Sequence, residues 1–431
     1  MAETTNFRLI VTVVFGFFIM AGVMYLVIAP PKKGEIRGSV TVWGTLGEKM
    51  IGEVLSPIDS GAIEVTYVKM SEDEYADELI ESFASGQGPD VFLLTDSMIV
   101  RFRDKIYPFP TSSMTERDFR NMFIEEGELL LKDGTVSALP LVVDPILLYW
   151  NRDTFSSSGI SSVPASWTEV LSSVLKLTQY SDKGEIIRPA VALGEFSNIE
   201  HAKEILITLF LQTGSGVVVY GDGGLTLDFA SDAAQSVVRF YTEFARPGKD
   251  IYTWNRSMRS DRELFASGDL PMYVGYASER VGIAERNPHL NFDIAPIPQL
   301  SDGGRVSTYG KLYAVAVSKQ TKNAPAALLV ASRMATAESS MLLADLSGMA
   351  PTYRAHVGSA DTKDPYRPIV DSAALVARSW LDPDPEMSYT VFEEMIVSIT
   401  GGRARLSEAV YTMQQELLRY IKDRGLGTGI K

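Results

Sequence analysis

Runs of alternating and continuous apolar residues divide the chain into elements before any motif is considered. Residues 39–43 (SVTVW) and 63–68 (IEVTYV) alternate apolar and polar positions, the period of a half-buried strand. Ser71, with Glu74 three residues on, reads as a capping box opening a helix whose Tyr75, Leu79 and Phe83 share one face. A turn at 86–90 (GQGPD) then leads into an apolar strand at 91–94. Strand, helix and strand in that order predict parallel pairing with a right-handed crossover. Ligands in such sheets sit beyond the carboxyl ends of the strands, which here are Gly44-Thr45 and Thr95-Asp96.

The strongest pattern is 134–155 (GTVSALPLVVDPILLYWNRDTF), almost wholly apolar from Ala138 to Trp150 and interrupted only by Asp144 and Pro145. A strand buried on both faces reads as such a run, but Asp-Pro inside it argues for a break in the pairing. The pattern therefore predicts two strands joined where the chain leaves one sheet and enters another. A carboxylate at that crossing is expensive to bury unless something hydrogen-bonds to it, which makes the crossing a candidate binding cleft.

From Trp167 to about Pro298 helices dominate. Ser166 and Glu169 form a second capping box, with Val170, Leu171, Val174 and Leu177 as the apolar stripe. Amphipathic helices are predicted at 202–213 and 233–244, and a turn at 221–224 (GDGG) followed by a strand. That turn lacks the acidic spacing of a calcium loop. Residues 382–386 (DPDPE) read as a stiff acidic turn. A final helix at 406–423 carries Val410, Met413, Leu417 and Ile421 on one face and stops at Gly425.

At the other end, residues 9–28 contain no charge, and Pro30-Pro31 follow. As a helix this segment would span ~30 Å, the thickness of the hydrocarbon core. A cleaved signal peptide has a shorter apolar region, so an uncleaved membrane anchor is predicted and a removed signal peptide is the alternative.

Length and charge narrow the function. A chain of 431 residues implies two or three domains, and 45% apolar with 22% charged residues is a folded composition. A formal charge of −14 with scattered basic residues argues against nucleic acid. With no cysteine, disulfides and thiolate metal sites are excluded. His201, His289 and His356 are too far apart for local metal-ligand spacing and read as surface or capping residues. Gly86-x-Gly88 follows a helix and opens a strand, the reverse of a dinucleotide fingerprint. No G-x-S-x-G elbow is present, since Gly214-Ser215-Gly216 is too short. Asp96 and Asp144 could face each other like glycosidase carboxylates, but no supporting catalytic residue accompanies them. A binding protein without cofactor or metal is the expectation.

The stretch ALPLVVDPILLYWNRDTFSSSGISSVPASWTEV, through Pro140, Asp144, Tyr149 with Asn151, and Pro164 with Trp167 and Glu169, resembles the family 1 extracellular solute-binding proteins, the maltose-binding-protein-like group. Gly86, Pro89, Asp90 and Val91, the segments 264–276, 287–299 and 309–319, and Pro351-Thr352 continue the likeness over most of 38–424. The resemblance implies an α/β, two-lobed periplasmic-binding-protein-like fold (type II), preceded by one N-terminal transmembrane helix. Residues 39–143 with 300–352 would form lobe 1, and 144–299 with 353–424 lobe 2. Residues 1–8 would be the cytoplasmic N-terminus, 9–28 the anchor, 29–38 a linker and 425–431 a tail.

Lys32, Lys33 and Arg37 after the span against Arg8 before it would by charge alone keep the large domain inside. Long domains translocate largely regardless of that bias, and the resemblance places this one outside the cell membrane. The function implied is that of the extracytoplasmic, monomeric binding subunit of an ABC importer, partnered by permease subunits. A surface receptor or sensory subunit of the same fold is the alternative. A saccharide or polyol fits best, because sugar sites stack ring faces on aromatics and bind hydroxyls with acids. Trp43, Thr45, Asp96, Asp144, Tyr276, Arg280 and Tyr389 are the candidate ligand-binding residues, Arg280 being the cation that a sugar phosphate would need. Ser97, and Ser278 with Glu279 and Arg280, stand where maltose-binding protein has an arginine and a tryptophan, so maltodextrin itself is not implied.

Overall fold

A computed structural model describes residues 36–427 except 60, 230, 302 and 359–363. The expected anchor at 9–28 lies outside the described residues, among which no helix is long and apolar enough to cross a membrane.

The strand Gly38–Gly44 pairs in parallel with Ile63–Lys69 on one side and Val91–Thr95 on the other, as the strand–helix–strand order predicts. The helix between them runs Tyr75–Ser85 and ends at Gly86, whose φ of 71° is the left-handed conformation that a residue without Cβ adopts freely. The expected Ser71 cap does not form. Glu74 occupies the cap position without a side-chain bond, and Glu72 reaches away to Lys311. The strand Thr308–Ser318 then joins antiparallel to Val91–Thr95.

Leu139–Asn151 is one continuous strand, so Asp-Pro does not end it, but its partners change there. Residues from Leu139 to Pro145 pair with Thr308–Ser318, and Ala350-Pro351 pairs opposite Val143 and Val142. From Ile146 onward the partners are Met272–Tyr276 and Phe292–Pro296, both antiparallel. The switch occurs without loss because the Pro145 carbonyl still accepts from the Ala277 amide, and proline's missing N–H falls where the ladder changes hands. All but one position of this strand is buried, which is why the sequence reads as a continuous apolar run rather than an alternating one.

An aromatic cluster lies on each side of the crossing. Phe83, Phe92 and Phe102 lie with ring centroids 5.5–6.3 Å apart on the Val91–Thr95 side. Tyr149, Phe265, Tyr273 and Phe292 lie 5.5–6.0 Å apart on the other. At the changeover Gly310 faces Pro145, and a Cβ there would stand 2.7 Å from Ala377 Cβ and 2.9 Å from Val143 Cγ2. Gly310→Ala should therefore lower stability by about 1–3 kcal/mol through overpacking. An unchanged urea midpoint would show slack at the crossing.

Helical elements follow the predicted stripes with one exception. Ser166 caps Trp167–Leu177 by accepting from the Glu169 amide, while Glu169 reaches back to the Ala165 amide at 2.8 Å. Leu406–Asp423 buries Val410, Met413, Leu417 and Ile421 as expected. Ala202–Gln212 is not amphipathic: every residue from Ile205 to Gln212 is buried, so its apolar positions encircle it. It packs against Ser231–Glu243, Pro385–Thr400 and Thr308–Ser318.

Candidate functional site at the strand crossing

A cleft of 210 Å³ opens at the carboxyl ends of the Gly38–Gly44 and Val91–Thr95 strands, where the parallel pairing leads one to look. Thr45, Thr95 and Ser97 offer hydroxyls, Glu72 a carboxylate, Lys311 an ammonium and Tyr313 a ring. Pro385 and Glu386, from the start of the Pro385–Thr400 helix, line the cleft as well.

Lys311 organises the crossing. It is the single charge in an eleven-residue strand, Thr308–Ser318, and pairs in register with Asp144. Its ammonium bonds Glu72 and lies 5.9 Å from the Tyr276 ring and 5.4 Å from the Tyr313 ring. Burial would lower its pKa, yet the neighbouring Tyr313 and Glu72 hold it well above the usual lysine range.

The predicted site residues separate into two groups. Thr45 lines the cleft, and Asp96, Asp144 and Tyr276 gather around Lys311 and Tyr309. Both acids are buried and bonded to protein instead of presenting free oxygens. Asp96 accepts from the Tyr309 hydroxyl at 2.6 Å, the Leu312 amide at 3.2 Å and the Ser379 hydroxyl. Burial pushes its carboxyl up, against those bonds. Asp144 accepts from the Ser278 amide at 3.1 Å, and burial lifts it to about 6. Tyr276 packs on His201 with ring centroids 4.7 Å apart.

Three others lie apart from this group. Trp43 is half-buried against the core, its carbonyl held by the Tyr75 hydroxyl at 3.0 Å. Arg280 is engaged by Asp364 at 2.8 Å and lies 4.3 Å above the Tyr366 ring. Tyr389 is exposed, its ring edge-on to Phe196 at 4.9 Å.

His201 corrects the expectation of a surface histidine. It is largely buried, and its Nε2 lies 2.6 Å from Glu279 Oε1. Burial would lower the imidazole, but the bond to Glu279 and its charge lift it to about 9. Glu200, His201 and Glu279 bring ligand atoms within 4.8 Å of one another. Within this trio His201 and Glu279 form a buried ion pair, while Glu200 is engaged by Arg262 at 3.5 Å.

Sequence reasoning passed over Lys311, Glu72, Tyr309 and Tyr313. Lys311 had a readable signal, a lone cation inside an apolar strand, whereas Glu72 joins it only through the fold.

Comparison with known proteins agrees with this architecture. A family model described as bacterial extracellular solute-binding protein matches residues 60–341. Binding proteins of Brucella abortus (strain 2308) and Brucella suis biovar 1 (strain 1330) are 22% identical over 313 residues, covering 71% of this chain and 73% of theirs. A cyclo/maltodextrin-binding protein complexed with maltotetraose superposes with a TM-score of 0.74 at 15% identity, over 91% of this chain and 99% of that one. The GacH receptor of Streptomyces glaucescens, solved unliganded and with acarbose, gives 0.71 at 16% identity, over 90% and 100%. A Thermotoga lettingae ABC transporter solute-binding protein bound with α-D-tagatose gives 0.68 at 17%, over 89% and 99%. These likenesses establish the α/β periplasmic-binding-protein-like fold. Since the family model spans more than half of the chain, this protein belongs to the bacterial extracellular solute-binding proteins, which bind solutes and do not transform them.

Proposed function

We propose that the chain is the membrane-tethered binding subunit of an ABC importer and takes a neutral saccharide or polyol into the cleft beside Lys311. Residues 39–143 with 300–352 and residues 144–299 with 353–424 act as two lobes, anchored through 9–28 outside the cell membrane. The observation that carries the reading is the cleft itself: hydroxyls, Glu72 and Tyr313 from one lobe meet Pro385 and Glu386 from the other. Such a lining supplies acceptors for hydroxyls and a ring for a sugar face. The saccharide-bound relatives of the same fold support that ligand class. Arg280, which a sugar phosphate would need, is already held by Asp364, and this favours a neutral solute.

Closure follows from a ligand touching both lobes, because only differential affinity for the closed state shifts the equilibrium. The strand at Asp144 and the segment ending at Pro298 are the crossings that would absorb the change.

A thermal-shift series with maltotetraose, acarbose, tagatose, simple polyols and sugar phosphates tests the reading. At a hundred times its dissociation constant a neutral saccharide should add about 2.7 kcal/mol of stability. Scattering should then show a smaller radius of gyration. Stabilisation by sugar phosphates alone would overturn the ligand class. A shift fully kept in Lys311→Met would move the site elsewhere.

A further inference from the structure

A second cavity, of 370 Å³, lies between the Glu125–Leu130 turn, the Val217–Gly221 strand and residues 378–381. Glu126, on that turn, lines it and is 1% exposed, yet neither of its carboxyl oxygens has a hydrogen-bond partner. Among the described residues no other carboxyl is buried with both oxygens unpartnered.

Among the described residues, the charged groups around Glu126 are either of the same sign or already engaged. Asp96 faces it as a second acid, with Ser379 between them giving its hydroxyl to Asp96. Arg378 bonds Glu125, and Arg305 stands 3.7 Å from the same carboxylate. Glu128 is taken by Arg120, and Arg103 and Lys132 lie over the Tyr220 ring. An ionised carboxylate cannot be held in such a place at tolerable cost, whereas a neutral one can. Burial accordingly pushes the Glu126 carboxyl far above its ordinary range and Asp96 adds to the push, while the nearby Ser379 amide, outside hydrogen-bond geometry, only partly opposes it.

The enclosure is shared between the proposed lobes. Glu125–Leu130 belongs to the first, and Val217–Gly221 with 378–381 to the second. We propose that closure of the two lobes takes up a proton at Glu126: the acid is neutral when the segments meet around it and ionises when they part. This coupling rests on the two-lobe closure proposed above. It would make solute capture tighter in mildly acidic surroundings and release easier in alkaline ones.

The sign can be followed through the pH range. Below about pH 4 the acid is protonated in both forms and closure does not depend on pH. Above that value the open form loses its proton first. The closed-to-open ratio then falls about tenfold per pH unit until the closed form ionises as well.

The chain has no cysteine, so spin labels placed at Glu81→Cys and Lys176→Cys report the separation without interference. Both residues are exposed, on Tyr75–Ser85 and Trp167–Leu177 respectively. Pulsed distance measurements from pH 4 to 8, with and without maltotetraose, are made on the labelled parent and on Glu126→Gln. The parent should show its short-distance population falling with pH. Glu126→Gln, a neutral isostere, should stay closed to a pH-independent extent and be the more closed of the two at pH 7. Glu126→Met should match it. A parent that closes on maltotetraose with no pH dependence overturns the proton coupling and leaves closure standing. An equal slope in parent and Glu126→Gln would assign the proton to Asp96 or Asp144 and also overturn it. One distance under every condition removes closure, and the coupling with it.

Discussion

Lys203→Met should lower the stability of the folded chain by about 3–5 kcal/mol at pH 7, because it leaves a buried carboxylate without its cation. Lys203 opens the Ala202–Gln212 helix and reaches Asp382 at 3.0 Å, the Ser388 hydroxyl at 3.2 Å and the Pro385 carbonyl at 3.5 Å. Asp382 is 1% exposed, and its oxygens also accept from Ser388 and the Asp384 amide. Burial works against both charges, but Asp382 and Glu204 together hold Lys203 above its ordinary range. Methionine keeps the length of the stem and removes only the ammonium, so cavity formation contributes little. Urea unfolding at pH 7 measures the loss. It should shrink in acid, where a protonated Asp382 needs no cation, and also in Lys203→Met/Asp382→Asn. A loss under about 1 kcal/mol would mean that the pair behaves like a surface bridge. Since Lys203 pins the residues on either side of Pro385 and Glu386, the variant should also weaken whatever binding the cleft supports.

That pair shows where the sequence stops being legible. Local signals placed the strands at 39–43, 63–68 and 91–94 within a residue or two, because alternation and flanking turns are local properties. The double-faced burial of Leu139–Asn151 and the exchange of partners at Pro145 were also readable, since an apolar run broken by Asp-Pro has few other uses. The asymmetry appears among the charges. Asp96 and Asp144 were recognisable as acids at the crossing, but not their donors, which come from residues more than 130 positions away such as Tyr309, Ser379 and Ser278. Arg280 and Tyr389 read as site residues by type alone, and type does not say that Asp364 and Phe196 have already engaged them. The buried helix Ala202–Gln212 was misread as amphipathic because Lys203, Glu204 and Gln212 supply polar positions at its ends. In the structure Lys203 and Gln212 are turned to internal partners.

Asp144→Asn is expected to make the protein more stable at neutral pH by about 3 kcal/mol, with the gain disappearing by about pH 4. Burial lifts the Asp144 carboxyl from 3.8 to about 6, with Ser278 and Lys311 pulling the other way and Glu279 adding to the rise. A group whose pKa is raised in the folded state binds its proton more tightly there than in the unfolded chain. Its contribution is therefore fully present below the unfolded value, near 4, and is lost as pH rises through about 6. Asparagine stands in for the protonated acid and can keep the bond from the Ser278 amide through its own carbonyl oxygen. Asp261, also lifted to about 6 chiefly by burial, contributes in the same direction and is untouched by the change. Stability followed by urea unfolding from pH 4 to 8 should accordingly fall less steeply in Asp144→Asn than in the parent, the remaining slope coming from Asp261, Asp96, Glu126 and His201. Parallel curves for the two proteins would mean that Asp144 titrates as an ordinary carboxylate. An acid kept there at a cost of about 3 kcal/mol makes sense if the neutral-pH carboxylate serves the site: it lies opposite Lys311 in register, and the Lys311 charge in turn favours its ionised form. Asp144→Asn should therefore trade affinity in the cleft for stability of the fold.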